Sequence, residues 1–457
     1  MNATSPPRQP LKLLPLVAAI YFCVSGGPHG LEPLMQSGAG LGVLLILLTP
    51  IFWAIPAALM TAELTSALPD EGGFYGWVKR AFGPRAASLC AWWTWMYSWV
   101  DVAIYPVLFA TYAREWVRMI GGPTEALAHP VAQWLLGLVI IVPFTALNIR
   151  GAQRVGQTSI ALGVALLAPF AVLIALAVPR FLAEPARTIT PFVAPGESVP
   201  SALSAGLFVV MWNYLGWDSL STVAGEVDAP RRNFPRALAW ALPIILLTYL
   251  LPTLAGLTVI RDPARWEEGL WPEIGRQLGG PAFGLWIAMT GMVSSAGLFA
   301  STLLGASRIP YVLAAEGQLP AWLTAVHPRF GTPHRAILGS AVIYAVLSFN
   351  TFENLAVVDV MLYSAAILIE FAALVVLRWK EPDLPRPFRI PGGRAGVVVV
   401  VLGPVAIVSF GVVSQFLSEG SAVLMWSFVA LVIGAVLTEL GLRRARPERS
   451  DRDATAR

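Results

Sequence analysis

The sequence predicts an all-α membrane protein with about twelve transmembrane helices, and three observations carry that prediction. Of the 457 residues, 56% are hydrophobic and only 13% are charged, whereas about a quarter of the residues of a soluble domain are charged. Apolar stretches of about 20 residues, the length that crosses about 30 Å of hydrocarbon, recur along the whole chain. The Lys and Arg residues are concentrated in alternate loops, as in multi-pass proteins.

The apolar stretches divide the chain into predicted segments. One transmembrane domain is predicted over residues 13–441, between a segment at 1–12 and a basic tail at 442–457. The apolar run after Lys12 continues past signal-peptide length without a small-residue cleavage site, so the first span is expected to be retained. The spans are predicted at 13–35, 40–66, 84–117, 131–148, 157–179, 203–226, 235–260, 282–313, 334–350, 355–378, 397–417 and 421–441.

The charges of the loops orient these spans. If the N-terminus is cytoplasmic, 24 of the 31 Lys and Arg residues lie on the cytoplasmic side, as the positive-inside rule requires. Both termini are therefore expected in the cytoplasm. The same distribution accounts for the net charge of +4 without a nucleic-acid partner. The short tail and the lack of an organelle signal favour a bacterial inner membrane.

Two spans contain segments that disfavour a continuous helix. The first contains Ser25-Gly26-Gly27-Pro28-His29-Gly30, here called the first break, and the sixth contains Asn213-Tyr214-Leu215-Gly216-Trp217-Asp218, the second break. Glycine favours unwound chain and proline removes an amide donor. Unwound backbone at mid-membrane must line a cavity or be buried in protein. Because paired interruptions in two halves of a transporter indicate a midplane binding site, the two breaks are predicted to bind the substrate.

Acidic residues inside spans are the next candidates, because a charge in hydrocarbon is costly and normally faces a cavity or a partner. Asp101, in the middle of the third span, is predicted to bind a substrate amine or to carry a proton, with helix packing as the alternative. Glu32 and Asp218 follow the two breaks, where each could serve proton coupling or amine binding, or cap a resumed helix. Glu370 in the tenth span has no evident partner.

Further candidates lie beside the breaks and at the cytoplasmic ends of spans. Glu63 and Glu226 could form gates, with a structural turn and a solvated loop as the respective alternatives. Four aromatic residues could close over a substrate, since aromatic rings exclude water and can face an ammonium, with interfacial anchoring and helix packing as the alternative for the tryptophans: Tyr105, Trp212, Tyr214 and Trp217. His29 could titrate within the first break, with a hydrogen bond to the unwound backbone as the alternative.

Several classes of protein are not expected. There is no Gly-x-x-x-x-Gly-Lys loop to cradle ATP phosphates, and the four histidines show no metal spacing, so no enzyme, cofactor or metal site is predicted. Cys23 and Cys90 fall inside apolar runs, where a disulfide framework is not expected. A channel would need a polar stripe along several spans, and a nutrient sensor usually adds a long cytoplasmic extension. Secondary transport is the class that remains.

These residues resemble the amino acid/polyamine/organocation superfamily, and within it the branch of plant polyamine uptake transporters and L-type amino acid transporter-like permeases. The resemblance runs over nearly the whole chain. Five stretches of the chain carry it. They are 24–28 with Glu32; 62–64 with 72–73 and Trp77; 101–109; 212–213 with 217–219 and 224–227; and 386–391.

The resemblance implies a LeuT-like fold, a five-plus-five inverted repeat in which the first and sixth helices are broken. The repeats would occupy about 13–179 and 203–378, followed by two extra helices at about 397–441. It also implies that amides of the first break bind a substrate carboxylate, while carbonyls from Asn213 to Trp217 accept from an amine. The expected function is import of amino acids by proton symport with alternating access. A polyamine:proton symporter of the same fold is the alternative.

Three departures from the family pattern qualify these expectations. The eighth span has no acidic residue at 297–306, which weakens the polyamine alternative, and the fifth has no lysine at 158–179, so proton coupling rests on the branch alone. Residues 120–130 contain no cysteine, so no disulfide-linked partner subunit is expected. The expected partners are a small-molecule substrate, a proton and the lipid bilayer.

Overall fold

The computed structural model describes residues 9–349, 355–419 and 422–455, without the side chains of 355–358, 415–419, 422–424 and 446–455. Helices make up its regular secondary structure, apart from one isolated bridge between Leu11 and Val227. Within the described residues, eight helices are long and apolar enough to cross a membrane. Three shorter apolar helices accompany them, at Leu13–Val24, Val199–Trp212 and His334–Leu347.

The first half of the chain contains eight α-helices. They are α1 (Leu13–Val24), α2 (Ala39–Thr49), α3 (Ile55–Ala67), α4 (Phe74–Phe82), α5 (Pro84–Met119), α6 (Glu125–Ala128), α7 (Pro130–Ile149) and α8 (Ala152–Ala183). A 3-10 helix at Glu32–Ser37 follows the first break, and a π-helical turn at Pro50–Ala54 joins α2 to α3. That turn begins at a proline, which cannot donate an amide to the ordinary α-helical ladder.

The second half contains ten α-helices. They are α9 (Pro185–Thr188), α10 (Val199–Trp212), α11 (Pro230–Leu257), α12 (Trp271–Gly279), α13 (Pro281–Ala306), α14 (Arg308–Ala315), α15 (His334–Leu347), α16 (Leu355–Lys380), α17 (Gly393–Glu419) and α18 (Ala422–Thr455). Short 3-10 helices lie at Ser219–Glu226, Pro263–Arg265 and Ala321–Thr324.

The helices differ most from the predicted spans at the two breaks. The first span was predicted over 13–35, but α1 ends at Val24 and the chain resumes as a 3-10 helix at Glu32. The sixth was predicted over 203–226, but α10 ends at Trp212 and a 3-10 helix begins at Ser219. In both places the break residues replace α-helical hydrogen bonds by turns.

Most other boundaries agree within a few residues. The segment 442–457, predicted as a tail, is helical over its described part because α18 continues to Thr455. Residues 1–8, 350, 421 and 456–457 of the predicted segments lie outside the described residues. The division into two inverted repeats stays a prediction.

Helix α5 is the element that brings chemistry to the centre of the molecule. It is 36 residues long, and it packs against α4, α7, α13 and α16. Helix α13 in turn packs against α1 and α8. The ends of α1 and α10, where the two breaks begin, line one cavity together with residues of α5 and α13.

Candidate substrate site

The two breaks lie against each other, and Gly216 makes that contact possible. Its φ of +90° lies in the left-handed region that favours glycine. A Cβ atom at this position would overlap the carbonyl oxygen of Cys23 at the end of α1. Only glycine therefore lets the second break approach the end of α1 this closely.

Side chains from distant elements bind the carbonyl groups of the first break. Ser294 Oγ donates to the Gly26 oxygen at 2.6 Å, and Trp271 Nε1 donates to the Pro28 oxygen at 3.1 Å. The Gly30 oxygen accepts from the side-chain Nδ2 of Asn213 at 3.0 Å, which links the first break to the second. These bonds replace the helical ladder that the break has lost, as buried backbone requires.

Glu32 holds the other end of the first break. Its side chain is fully buried. Oε2 accepts from the Gly30 amide at 2.7 Å, and Oε1 accepts from the Gly269 amide at 3.3 Å. Both oxygens thus bind backbone amides, but neither amide belongs to the 3-10 helix that begins at Glu32, so the side chain does not cap that helix.

The second break is held in the same manner. The Tyr249 hydroxyl donates to the backbone carbonyl oxygen of Asn213 at 2.5 Å, and Trp53 Nε1 donates to the backbone carbonyl oxygen of Tyr214 at 3.2 Å. The Ser219 amide also donates to the Gly216 oxygen at 3.2 Å. The scaffold therefore already binds three of the five carbonyl groups that were predicted to accept from a substrate amine.

Tyr363, on α16, fixes the far side of the second break. Its hydroxyl accepts from the Gly216 amide at 3.0 Å and donates to Asp218 Oδ1 at 2.5 Å. Asp218 is buried and does not line the central cavity. Its carboxylate serves to orient Tyr363, and through it the backbone of Gly216.

A small cavity of about 30 Å³ lies between the two breaks, α5 and α13. Ligand pockets usually enclose about 300–1,000 Å³, so its walls must separate before a substrate can bind. It is lined by Cys23, Val24, Gly26, His29, Tyr97, Asp101, Tyr105, Trp212, Asn213, Leu215, Gly216 and Leu298.

The cavity separates the predicted site residues into two groups. Seven line it: Gly26, His29, Asp101, Tyr105, Asn213, Leu215 and Gly216. Eight others near the breaks do not: Ser25, Gly27, Pro28, Gly30, Glu32, Tyr214, Trp217 and Asp218. The second group mainly shapes the breaks, whereas the first can touch a solute.

Asp101 is the acidic residue among the lining residues. It is 8% exposed, and the Tyr105 hydroxyl lies 2.8 Å from each of its carboxylate oxygens. The two residues are four positions apart and therefore share one face of α5. Asp101 forms no ion pair with a Lys, Arg or His of the described residues. The carboxylate is thus available to a cationic group or a proton.

His29 is another titratable residue that lines this cavity. Its Nε2 lies 2.9 Å from Thr290 Oγ1, and that hydroxyl donates to the Ile287 oxygen at 2.6 Å. Because the hydroxyl has only one proton, Nε2 must be the donor to Thr290. Nδ1 of the neutral ring is then a lone-pair acceptor, and it has no partner among the described residues.

Sequence reasoning missed one acidic residue beside this cavity. Asp359, on α16, is fully buried, and neither of its oxygens has a hydrogen-bond partner among the described residues. It lies inside the predicted tenth span, so the rule that singled out Asp101 would also have found it. Glu370, three turns further along, has Oε1 3.9 Å from the Cys90 thiol.

Buried ion pairs lie toward the predicted cytoplasmic side. Arg308 Nη2 donates to Glu226 Oε1 at 2.9 Å, and both side chains are buried. The solvated loop considered for Glu226 is therefore wrong. Glu63 forms bonds with Arg378 at 2.5 and 2.6 Å, and Arg386 lies 3.2 Å from it.

A large vestibule opens beside the Glu226 pair. Its volume is about 900 Å³, and its lining residues include Gln153, Arg154 and Glu226. The Leu11 amide donates to the backbone carbonyl oxygen of Glu226 at 2.8 Å, and the Asp228 amide donates to the carbonyl oxygen of Leu11 at 2.9 Å. The segment that precedes α1 is thus joined directly to the end of the sixth span.

Comparison with known sequences gives one family. The profile of a family described as amino acid permease matches residues 13–438. A probable polyamine transporter of Arabidopsis thaliana is 38% identical over 88% of this chain and 82% of its own length. The polyamine transporter PUT1 of Oryza sativa subsp. japonica is 35% identical over 87% and 73%. The large neutral amino acids transporter small subunit 2 of Oryctolagus cuniculus is 28% identical over 77% and 65%.

Comparison with solved structures gives the fold. The crystal structure of MhsT in complex with L-phenylalanine aligns with a TM-score of 0.65 at 16% identity, over 90% of this chain and all of that one. The predicted all-α, LeuT-like fold is thereby confirmed. The relatives are named as transporters, as the prediction of a non-enzymatic membrane protein requires.

Proposed function

This chain is a multi-pass membrane transporter that belongs to the amino acid permease family, and on that premise we propose that it imports a small polyamine together with protons. The solute would bind in the cavity between the two breaks, and alternating access would expose that cavity to each side of the membrane in turn. The membrane would be the cell membrane, with both termini in the cytoplasm.

The observation that carries the proposal is the position of Asp101. A buried carboxylate without a basic partner is costly in a membrane, and it becomes favourable once a cation reaches it. Among the residues that line the cavity there is one acid and no Lys or Arg. An ammonium group would find Asp101, the Tyr97 and Tyr105 rings and the His29 acceptor around it. The names of the plant relatives support the same class of solute.

Amino acids remain the second candidate, and they were the first expectation from the sequence. The family description, the mammalian relative and the phenylalanine in the MhsT complex support them. A substrate carboxylate would have to bind at the first break. There Glu32 already occupies the Gly30 amide, and the cavity wall offers no basic side chain that is permanently charged. For these reasons we place the polyamine first.

Proton coupling and gating complete the proposal. Asp101 would bind an ammonium group of the solute, and the imported proton would bind a different group, because a proton and an amine that competed for one carboxylate would be exchanged and not imported together. The Glu226–Arg308 pair would close the cytoplasmic side, since it joins the end of the 3-10 helix that follows the second break to the start of α14 beside the vestibule. Glu63 would play a lesser part by fixing α3 to α16 and to the following loop.

Uptake by the purified protein in liposomes tests this function. Putrescine, spermidine and phenylalanine are supplied outside, with and without an inward proton gradient. We expect the gradient to drive accumulation of the two polyamines, a protonophore to abolish it, and phenylalanine not to compete. Accumulation of phenylalanine alone would replace the polyamine by the amino acid, and polyamine uptake that is indifferent to the gradient would remove the proton.

A further inference from the structure

The second buried acid near the cavity, Asp359, has no role in the function proposed so far. It lies in the first turns of α16, the helix that packs against α5 and α10. Its side chain is fully buried, and both carboxylate oxygens are without a hydrogen bond from any described residue. Native proteins rarely leave a buried carboxylate in this condition, because its desolvation is not compensated.

The surroundings of Asp359 place it next to residues that line the substrate cavity, although it does not line the cavity itself. Tyr363, one turn further along the same helix, accepts from the Gly216 amide and packs against the ring of Tyr97, and both of these residues line the cavity. The indole of Trp212, another lining residue, is the polar group next to the carboxylate, without a hydrogen bond of ordinary geometry. Asp359 therefore lies on α16 beside Trp212, outside the layer of residues that line the cavity.

The charge balance of Asp101 and Asp359 depends on how many ammonium groups the bound solute carries. Neither Asp101 nor Asp359 is paired with a Lys, Arg or His of the described residues, and two carboxylates at close range cannot both ionise without a counter-charge. One ammonium group neutralises only one of them. A solute with two ammonium groups neutralises both, and it needs an apolar spacer between the groups. Trp212 and Leu215 offer apolar surface to such a spacer.

We propose that Asp359 is a second cation-binding residue of the substrate site, which binds the distal ammonium group of a diamine or polyamine whose first ammonium group is held by Asp101. The inference rests on the proposed function and specifies its substrate class as solutes with two or more separated amines. It requires the Trp212 side chain to turn aside as the cavity enlarges. Asp359 would thus determine specificity for diamines over monoamines.

Binding of a matched pair of amines to the purified full-length protein tests the inference. Putrescine and butylamine have the same four-carbon chain and differ in the second amine. The variants are Asp359→Asn, which keeps the size of the side chain, Asp359→Glu, which keeps its charge, and Glu370→Gln as the control. Glu370 is also a buried acid on α16, but it lies three turns further along, where its Oε1 is 3.9 Å from the Cys90 thiol.

The expected result is a change in the ratio of the two affinities. Truncating one partner of a buried charge pair commonly costs 2 kcal/mol or more, so Asp359→Asn should weaken putrescine about 30-fold or more and leave butylamine nearly unchanged. Asp359→Glu should keep the preference for diamines but shift the preferred length within a series of three to six carbons. Glu370→Gln should leave the ratio as it is in the parent protein.

The failures of the two proposals are distinguishable. If the unmodified protein binds neither amine, the proposed function fails. If it binds putrescine and Asp359→Asn binds it equally well, Asp359 is not a cation-binding residue. If Asp359→Asn keeps the affinity but loses gradient-driven accumulation, Asp359 carries a proton instead, and the inference is likewise overturned.

Discussion

At the scale of single residues, the buried acids of this transporter fall into two kinds. The carboxylates of Glu32 and Asp218 already accept hydrogen bonds, the first from backbone amides and the second from a tyrosine hydroxyl. Asp101 and Asp359 have no basic partner among the described residues, and Asp101 lines the cavity. Glu32, Asp101 and Asp218 were all predicted as candidates because each is an acid within an apolar run, whereas Asp359 was missed. Two of the groups that bind these carboxylates, the Gly269 amide and the Tyr363 hydroxyl, lie 237 and 145 positions away in the sequence.

Substitution of Asp101 tests the role of the cavity acid. Asp101→Asn keeps the shape of the side chain and removes its charge, so neither a proton nor an ammonium group is bound there. We expect gradient-driven polyamine accumulation to be lost and binding to weaken about 30-fold or more, while the thermal unfolding temperature stays close to that of the parent. Uptake into liposomes and thermal unfolding of the same preparation measure both effects.

The matched control is Glu115→Gln, at the exposed end of the same helix. Glu115 pairs with Arg118 on the surface, and such pairs contribute only about 0–1 kcal/mol. This variant should transport normally. Accumulation retained in Asp101→Asn would mean that the carboxylate serves only to pack α5 through Tyr105.

At the scale of elements, the positions of the two breaks follow from their glycines and proline, but the way in which they are held does not. Five side chains from five different elements bind the backbone of the breaks. They are Ser294 of α13, Trp271 of α12, Tyr249 of α11, Trp53 of the π-helical turn after α2, and Tyr363 of α16. None of these residues is near a break in the sequence. A single sequence offers no signal for such long-range pairings, whereas local helix-breaking residues are visible in it.

A glycine substitution tests the contact between the breaks. Gly216→Ala places a Cβ against the Cys23 carbonyl and requires a left-handed alanine, at a cost of about 1–3 kcal/mol for the conformation alone. We expect a clear fall in the thermal unfolding temperature and loss of transport. Differential scanning fluorimetry in detergent and liposome uptake measure the two effects.

Gly76, in α4, provides the control for this substitution. A Cβ there would meet no atom within 4 Å, and its φ is not positive. Gly76→Ala should therefore be neutral or slightly stabilising. If Gly216→Ala proved equally neutral, the close approach of the second break to α1 would not be a requirement of the fold.

At the scale of the whole molecule, the large features were predictable and the fine ones were not. The all-α membrane fold and the family follow from hydropathy and motifs, and both are confirmed. Helix termini such as Pro84 and Pro130 agree with the predicted spans because proline and glycine mark them locally. Arg308, by contrast, could be counted as a loop charge but not recognised as the buried partner of Glu226.

The central claim is that the cavity between the two breaks is the substrate site, and Cys23 offers a direct measurement of it. Cys23 lines that cavity, and the chain has only one other cysteine, Cys90. In a Cys90→Ser variant that still transports, the rate at which N-ethylmaleimide modifies Cys23 can be measured with and without putrescine. The account predicts that saturating putrescine slows this modification severalfold and that butylamine does so less effectively. An unchanged rate in the presence of transported putrescine would contradict the account, because the solute would then bind elsewhere.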